Sequence, residues 1–264
     1  AGGAVHITST SNPYFSDCVF QGNSSYWGGA FDVNGACNAV FYNCLIIYNS
    51  ASAGAGCYLA HGANPVLLNC TITENNANYG GVHLYNAGTV NIRDCILWGN
   101  SPAEVHAQAG SSPIITYSDV YQESGVYFGA GNINQDPLFT STGTWEYRLS
   151  QTASGQSSNS PCVNAGSDAA SNICFDSNQG NVCIDQRTTR TDNQVDSGIV
   201  DMGYHSIPQQ TPTPTPTAHP TSAPTPTPGC SAHGVTVWMP DTEFSPGENC
   251  SCQVTVCNTS SSDI

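Results

Sequence analysis

Four times the chain repeats the pattern of Cys44-Leu45-Ile46-Ile47-Tyr48-Asn49, in which a cysteine, a short apolar run and an asparagine keep their order. The cysteines and the asparagines of the four copies both recur at intervals of 26, 26 and 25 residues, at Cys18, Cys44, Cys70 and Cys95 and at Asn23, Asn49, Asn75 and Asn100. A third series is separated by 26 residues at each step, at Gly2, Gly28, Gly54 and Gly80. Three markers in one register predict a structural repeat of about 26 residues.

Each repeat contains short apolar stretches separated by Gly and Asn corners, such as Ala30-Phe31-Asp32-Val33 and Pro65-Val66-Leu67-Leu68. The stretches are too short for amphipathic helices, which need about ten or more residues. If successive repeats stack, each stretch pairs in parallel with its equivalent in the next turn. The sequence therefore predicts an all-β fold that begins with a parallel β-solenoid of three strands per turn.

Stacking would also bring equivalent side chains to within one strand spacing, about 4.8 Å. We expect the four repeated cysteines to form an inward ladder of buried, unbridged thiols, although this spacing would also permit disulfides. The four repeated asparagines predict a second ladder, whose amides bond from turn to turn. We place them at sharp corners, because Asn tolerates the left-handed backbone region.

The Gly28-Gly29-Ala30 opening and the Asn43-Cys44-Leu45-Ile46 strand resemble the right-handed parallel β-helix repeats of the pectate-lyase-like type. The resemblance is greatest to large secreted or surface-anchored bacterial and archaeal proteins. Later segments such as 131–139 and 160–166 resemble the C-terminal end of that family's solenoid, so that the resemblance covers residues 1–207. It implies a right-handed β-helix. Family members include polysaccharide lyases and hydrolases, and many others have no assigned activity.

The composition excludes several classes of partner. The chain has 4 Arg and no Lys against 19 Asp and Glu, a formal net charge of −15. Such a surface repels nucleic acid and anionic membranes. A membrane-spanning helix would need an apolar run of about 18 residues, and the sequence contains none. Disorder is excluded because 39% of the residues are hydrophobic and they recur periodically.

We expect four parts in the chain. Residues 1–139 form the solenoid turns, 140–207 form its C-terminal turn and cap, 208–228 form a linker, and 229–264 form a small β segment. The linker alternates Thr and Pro, which favours an extended polyproline II spacer. The last part contains two alternating strands and resembles the start of an immunoglobulin-like sandwich. Because two strands alone are unstable, we expect a homo-oligomer formed through the solenoid ends and this C-terminal segment.

The remaining cysteines indicate an oxidising compartment, and we expect an extracellular or cell-surface location. The sequence contains no Cys-x-x-Cys pair, so it gives no support for a zinc site. One disulfide is expected among Cys162, Cys174 and Cys183, with Cys174 and Cys183 favoured. Further disulfides, of open connectivity, are expected among Cys230, Cys250, Cys252 and Cys257. The candidate glycosylation sites are Asn23, Asn258, Thr211, Thr213, Thr215, Thr225 and Thr227.

The solenoid offers no convincing catalytic set. Asp17 and Asp94 share a repeat position but lie three turns apart, about 14 Å, too far for a glycosidase pair. Arg93 is the one cation of the turns, and its neighbour Asp94 favours an ion pair over a role in β-elimination. We also expect no metal or catalytic histidine cluster, on the premise that His6, His61 and His83 do not share one repeat position.

Two further groups allow a functional and a structural interpretation. The densest charge group could hold calcium, but Arg–Asp pairs that fasten the cap are the favoured interpretation: Asp185, Arg187, Arg190, Asp192, Asp196 and Asp201. Exposed aromatic residues at the turns could stack on sugar rings or simply pack: Tyr26, Trp27, Tyr48, Tyr79 and Trp98.

These observations favour a non-catalytic extracellular structural protein, a subunit of a surface filament or another repeating cell-surface assembly. The alternative is a polysaccharide-active lyase or hydrolase, or a carbohydrate-binding adhesin with glycans as partners. We expect no catalytic residues, no resident metal and no cofactor, with calcium as the one alternative.

Overall fold

The computed structural model describes residues 2–108, 110–140, 147–177, 180–208, 234–238 and 253–257. Its first half is a parallel β-solenoid built from four sheets that run side by side along the stack. The first sheet comprises Val5–Thr8, Phe31–Asn34, Cys57–Ala60, Val82–Tyr85 and Val105–Ala107. The second comprises Tyr14–Ser16, Val40–Tyr42, Val66–Leu68, Asn91–Arg93 and Ile114–Thr116. The third comprises Val19–Gln21, Leu45–Ile47, Thr71–Thr73, Ile96–Trp98 and Asp119–Val120. The fourth comprises Ser24–Trp27, Ser50–Ala53 and Asn76–Ala77.

The number of strands per turn differs from our expectation of three. Each strand of the fourth sheet begins at the residue after a ladder asparagine, in a stretch rich in Ser and Ala that does not stand out as apolar. Its strands form because backbone pairing continues past the corner, with Ser24 opposite Ser50 and Ser50 opposite Asn76. The expected repeat of about 26 residues is confirmed by this register.

The interior contains rows of equivalent apolar side chains. In the first two turns Phe31 and Phe41 stack with ring centroids 3.8 Å apart, and Phe15 stacks on Phe41 at 5.0 Å. Of the repeated cysteines, Cys44, Cys70 and Cys95 are fully buried and Cys18 is partly exposed, and all four are free thiols. Burial raises the pKa of the Cys44 and Cys95 thiols, so they pack as small neutral groups.

The asparagine row is a continuous, buried hydrogen-bond ladder. The Oδ1 atom of Asn75 accepts from both Asn49 N (3.0 Å) and Asn49 Nδ2 (2.9 Å). The same pair of bonds joins Asn23 to Asn49 and Asn75 to Asn100. Each Nδ2 beyond the first turn also donates to a carbonyl of the preceding turn, as Asn75 does to Ile46 O at 2.9 Å. The ladder therefore ties each turn to both of its neighbours.

Our expectation that these asparagines adopt the left-handed conformation is wrong. The residue before each of them takes the positive φ: Gly22 (65°), Tyr48 (55°), Glu74 (54°) and Gly99 (73°). The ladder amides must point inward to bond one another, which leaves the preceding residue to turn the chain. A second left-handed row precedes the four cysteines, at Asp17, Asn43, Asn69 and Asp94, and continues at Tyr117, which precedes Ser118.

We expected residues 140–207 to close the C-terminal end of the solenoid. In the structure, their described part lies along its flank. Ser167 donates from N and Oγ to Asp94 (2.7 and 2.8 Å), and His205 N donates to Asn43 Oδ1 (2.7 Å). The physical reason is the second left-handed row, whose buried polar side chains need partners over several turns. The last turn is contacted by Ile133, which bridges to Asp119, and by Cys162 of the segment, whose Sγ donates to Asp119 Oδ2 at 3.2 Å.

The part of the chain that lies along the flank, residues 139–207 where described, is called the flanking segment below, and it has little regular structure. Its described residues form two antiparallel pairs, Phe139–Thr140 with Arg148–Leu149 and Cys174–Ser177 with Gly180–Cys183. Three 3₁₀ turns span Thr152–Ser154, Ala170–Asn172 and Ile184–Gln186. A disulfide joins Cys174 to Cys183, while Cys162 is a free thiol. Among the described residues, no helix is long and apolar enough to cross a membrane.

Of the C-terminal part, the structure describes one antiparallel strand pair, Gly234–Trp238 with Gln253–Cys257. Most of the predicted linker and its neighbours lie outside the described residues, including Thr211, Thr213, Thr215, Thr225, Thr227, Cys230, Cys250, Cys252 and Asn258. The immunoglobulin-like domain, the polyproline II linker and their disulfides therefore stay predictions.

Candidate functional site

The second residue of each strand in the first sheet points away from the solenoid core, and these residues form one row. The backbone register places His6, Asp32, Tyr58, His83 and His106 opposite one another in successive turns. Two of the three histidines that we considered, His6 and His83, therefore share one repeat position. The two are separated by the same 26, 26 and 25 residues as the cysteines, which reveals their equivalence. Three turns still separate them, and His61 lies outside the row.

A hollow forms over the third turn because that turn has alanine at both positions that flank the row. On one side, Ala53 pairs with Trp27, and Tyr79 follows it 26 residues later. On the other side, Ala60 pairs with both Asn34 and Tyr85. The neighbouring turns thus carry large side chains where the third turn carries methyl groups, and Tyr58 forms the floor between them.

The hollow is a cavity of about 440 Å³ with aromatic walls. This volume is in the range of small-molecule sites, about 300–1,000 Å³. Trp27 leans over Tyr58, with ring centroids 4.8 Å apart, and Tyr79 stacks on His83 at 5.1 Å. The lining residues are Trp27, Asn34, Tyr58, His61, Tyr79, His83, Tyr85 and Gln108.

His83 is the most unusual group of this cavity. It is 2% exposed, and neither of its ring nitrogens has a hydrogen-bond partner within the described residues. Burial, together with the neighbouring His106, lowers the pKa of His83 to about 4. The imidazole is therefore neutral at physiological pH, with one N–H donor and one acceptor nitrogen. Buried polar groups left without partners are costly, so these nitrogens suit a ligand.

Acidic and polar groups border the cavity on the side of the first two turns. Asp32 is the neighbour of Tyr58 in the outward row, and its carboxylate lies 2.9 Å from His6 Nδ1. Burial raises the pKa of Asp32, and the His6 partner counteracts this rise. Beside it, His61 Nδ1 lies 3.1 Å from Asn34 Oδ1. The cavity thus combines aromatic faces with neutral hydrogen-bonding groups.

The structure brings together two of the five aromatic residues for which we considered sugar stacking. Trp27 and Tyr79 form walls of the cavity, whereas Tyr48 and Trp98 lie elsewhere. Trp98 packs edge-on against Tyr121 at 5.2 Å, and Tyr48 hydrogen-bonds Tyr147. Tyr26 contacts Trp27 edge-on at 4.7 Å without lining the cavity.

Sequence reasoning missed Tyr58, His83, His61, Tyr85, Asn34 and Gln108. The signal was present in the alignment of the repeats, because Ala53 and Ala60 interrupt two otherwise large-residue positions of the same turn. The prediction assigned apolar positions to the core and all others to the surface, so it did not compare the sizes of outward-facing residues between turns.

The charge group of the flanking segment is occupied by internal contacts. Arg187 binds Asp17 of the first turn (2.9 Å), and Arg190 binds Asp192 (2.6 Å). Asp196, Asp201 and His205 lie close enough to hold a metal ion. However, Asp196 already binds His205 at 3.0 Å, and Asp201 accepts from Gln151, Thr189 and Asn164. Of these contacts, the Arg187–Asp17 pair joins the segment to the solenoid, and the others hold the segment itself together.

Asn23 is not accessible for glycosylation in the folded protein. It is fully buried, and its Nδ2 donates to Asn49 Oδ1. A glycan on this nitrogen would break the ladder, so the expectation of a glycan at Asn23 is corrected for the folded state.

Stacked parallel sheets with a repeat of about 26 residues define a parallel β-solenoid protein. Residues 1–120 match the model of the family described as "Right handed beta helix region". The match and the stacked turns together support a right-handed β-helix repeat protein. No curated protein and no solved structure gives a significant match to the chain.

Proposed function

We propose that this protein is an extracellular, glycan-binding β-solenoid that uses the cavity over its third turn. The observation that carries the proposal is a cavity that pairs aromatic walls, Trp27 and Tyr79, with His83, whose buried ring nitrogens have no partner among the described residues. Aromatic faces stack on the apolar faces of sugar rings, and neutral polar groups bond their hydroxyls. The disulfide between Cys174 and Cys183 supports an oxidising location.

Binding is favoured over cleavage by the make-up of the cavity. Glycoside hydrolysis uses a pair of carboxyl groups. The described residues that line the cavity include no Asp or Glu. The nearest acidic member of the row, Asp32, is occupied by His6.

The Trp27→Ala variant tests the glycan-binding role. We expect a loss of at least tenfold in affinity for the oligosaccharides that the wild type binds, because the variant removes the largest stacking face. The measurement is calorimetric titration after a glycan-array screen of the full chain.

Tyr48→Ala is the matched control, since it removes an exposed aromatic side chain outside the cavity. Its affinity should equal that of the wild type. Equal losses in both variants, or no glycan binding by the wild type, would refute the role of this cavity.

A structural role in a surface filament or another repeating assembly is our second proposal. It is supported by the uninterrupted hydrogen-bonded stacking of the turns, which suits a rigid rod. A rod and a glycan-binding cavity are compatible in one surface protein. We expect purified native material to show filaments or higher oligomers by electron microscopy and light scattering. Monomers alone would contradict the structural role and leave the glycan-binding role intact.

A further inference from the structure

Deepening the proposed function, on which it rests, we propose that the cavity over the third turn takes a neutral sugar ring of an uncharged polysaccharide and rejects uronic acids. The inference rests on three features: the unpartnered nitrogens of His83, the absence of a cation among the residues that line the cavity, and the two alanines that flank its lining residue Tyr58.

The first feature selects a hydroxylated ligand. His83 lines the cavity, and its donor and acceptor nitrogens are buried and lack partners in the described part of the chain. A sugar hydroxyl can both donate and accept, so a hydroxyl that reaches either nitrogen can satisfy it in whichever role the tautomer gives that nitrogen. An apolar ligand would leave the two nitrogens unpaired, and so would a quaternary ammonium.

The second feature selects against a carboxylate on the sugar. The lining residues include no Arg, and the chain has no Lys. The four arginines are engaged elsewhere, Arg93 with Asp94, Arg187 with Asp17, Arg190 with Asp192, and Arg148 with the carbonyl of Arg190. A uronate would instead meet the field of Asp32 and of a chain with net charge −15.

The third feature ties the cavity to two methyl groups. Ala53 and Ala60 are fully buried and flank Tyr58. Asparagine occupies the position equivalent to Ala60 in the preceding turn, at Asn34. Replacing Ala60 by Asn therefore places in the third turn the side chain that the second turn already has at Asn34. We expect this side chain to fill the cavity.

The test compares matched oligosaccharides on the full chain by calorimetric titration. The neutral probes are gluco-, manno-, galacto- and xylo-oligosaccharides, and the acidic probes are oligogalacturonate and oligoglucuronate of equal length. Each titration is run with calcium and with a chelator. We expect at least one neutral probe to bind at least tenfold more tightly than every acidic probe, and calcium to have no effect.

Two variants locate the binding. Ala60→Asn should abolish binding of the neutral probe, while the control Ala51→Asn, on the fourth sheet outside the cavity lining, should retain it. His83→Phe keeps an aromatic ring beside Tyr58 and Tyr79 but removes both nitrogens. We expect it to weaken binding at least tenfold and to raise the Tm of the free protein, because no unpaired nitrogens remain buried.

The outcomes separate this inference from the function on which it rests. Equal or tighter binding of uronates, or binding that requires calcium, would overturn the neutral-sugar inference and leave glycan binding in place. Binding that survives both Ala60→Asn and His83→Phe would overturn the assignment to this cavity. If no probe of either kind binds, both the inference and the proposed function fail.

Discussion

Replacing Asn75 by alanine is expected to lower the free energy of unfolding by about 3–5 kcal/mol. The change removes the Oδ1 acceptor of Asn49 N and Nδ2 and the Nδ2 donor to Ile46 O. All of these groups are buried, and each unsatisfied one costs about 1–3 kcal/mol. Urea unfolding followed by circular dichroism measures the difference.

Asn38→Ala is the matched control for this variant. Asn38 also bonds an asparagine of the neighbouring turn, Asn12, but this pair is exposed. Water replaces the lost bond there, so we expect a change within about 0.5 kcal/mol. A similar small effect for Asn75→Ala would show that the ladder is not a main source of stability.

Replacing Glu104 by glutamine is expected to stabilise the protein at pH 8 by about 3 kcal/mol and to have little effect at pH 4. Glu104 is buried and ends the asparagine ladder, where it accepts from Asn100 N at 3.1 Å and from Asn100 Nδ2. Burial raises the pKa of Glu104 from 4.5 to about 7, although the bonds from Asn100 counteract the rise.

The sign of this effect follows from proton binding. Between pH 4.5 and 7 the folded state holds the Glu104 proton and the unfolded state does not. The contribution of Glu104 to stability is therefore complete below about pH 4.5 and is lost as the pH rises to about 7. Glutamine keeps an acceptor oxygen and cannot ionise, so the difference between variant and wild type grows over that window. Unfolding curves at several pH values measure it.

Glu104→Ala separates the charge from the contact. Alanine also removes the ionisable group, but it leaves the Asn100 donors without an acceptor. We expect it to be less stable than Glu104→Gln at every pH. A constant difference between wild type and Glu104→Gln across pH 4–8 would contradict the assigned titration.

The repeat made most of the solenoid predictable, because stacking demands the same residue type at the same place in each turn. The regular intervals of Cys44 and Asn49 and their copies identified the interior rows. Two details failed for local reasons. The strand at Ser50–Ala53 is held by backbone pairing and lacks an apolar signal. The left-handed corner falls on Tyr48, since the amide of Asn49 is needed inside.

The candidate site was only half predictable. Trp27 and Tyr79 stood out as exposed aromatic residues, but so did Tyr48 and Trp98, and nothing local distinguishes the two pairs. What distinguishes them is the absence of a large side chain at Ala53. A cavity is defined by the side chains that are missing between its walls, and a search for conspicuous residues does not find it.

For this protein, the order of residues alone determines the solenoid, its repeat length and its interior ladders. These depend on spacing along the chain, which can be counted. Only the tertiary structure decided that the described part of residues 147–207 lies along the flank, and that His83 lines a cavity while its buried ring nitrogens have no partner among the described residues. Both features depend on contacts between residues far apart in sequence. Side-chain shape and buried polar groups determine which residues meet there, and the sequence has no periodic pattern from which these contacts could be predicted.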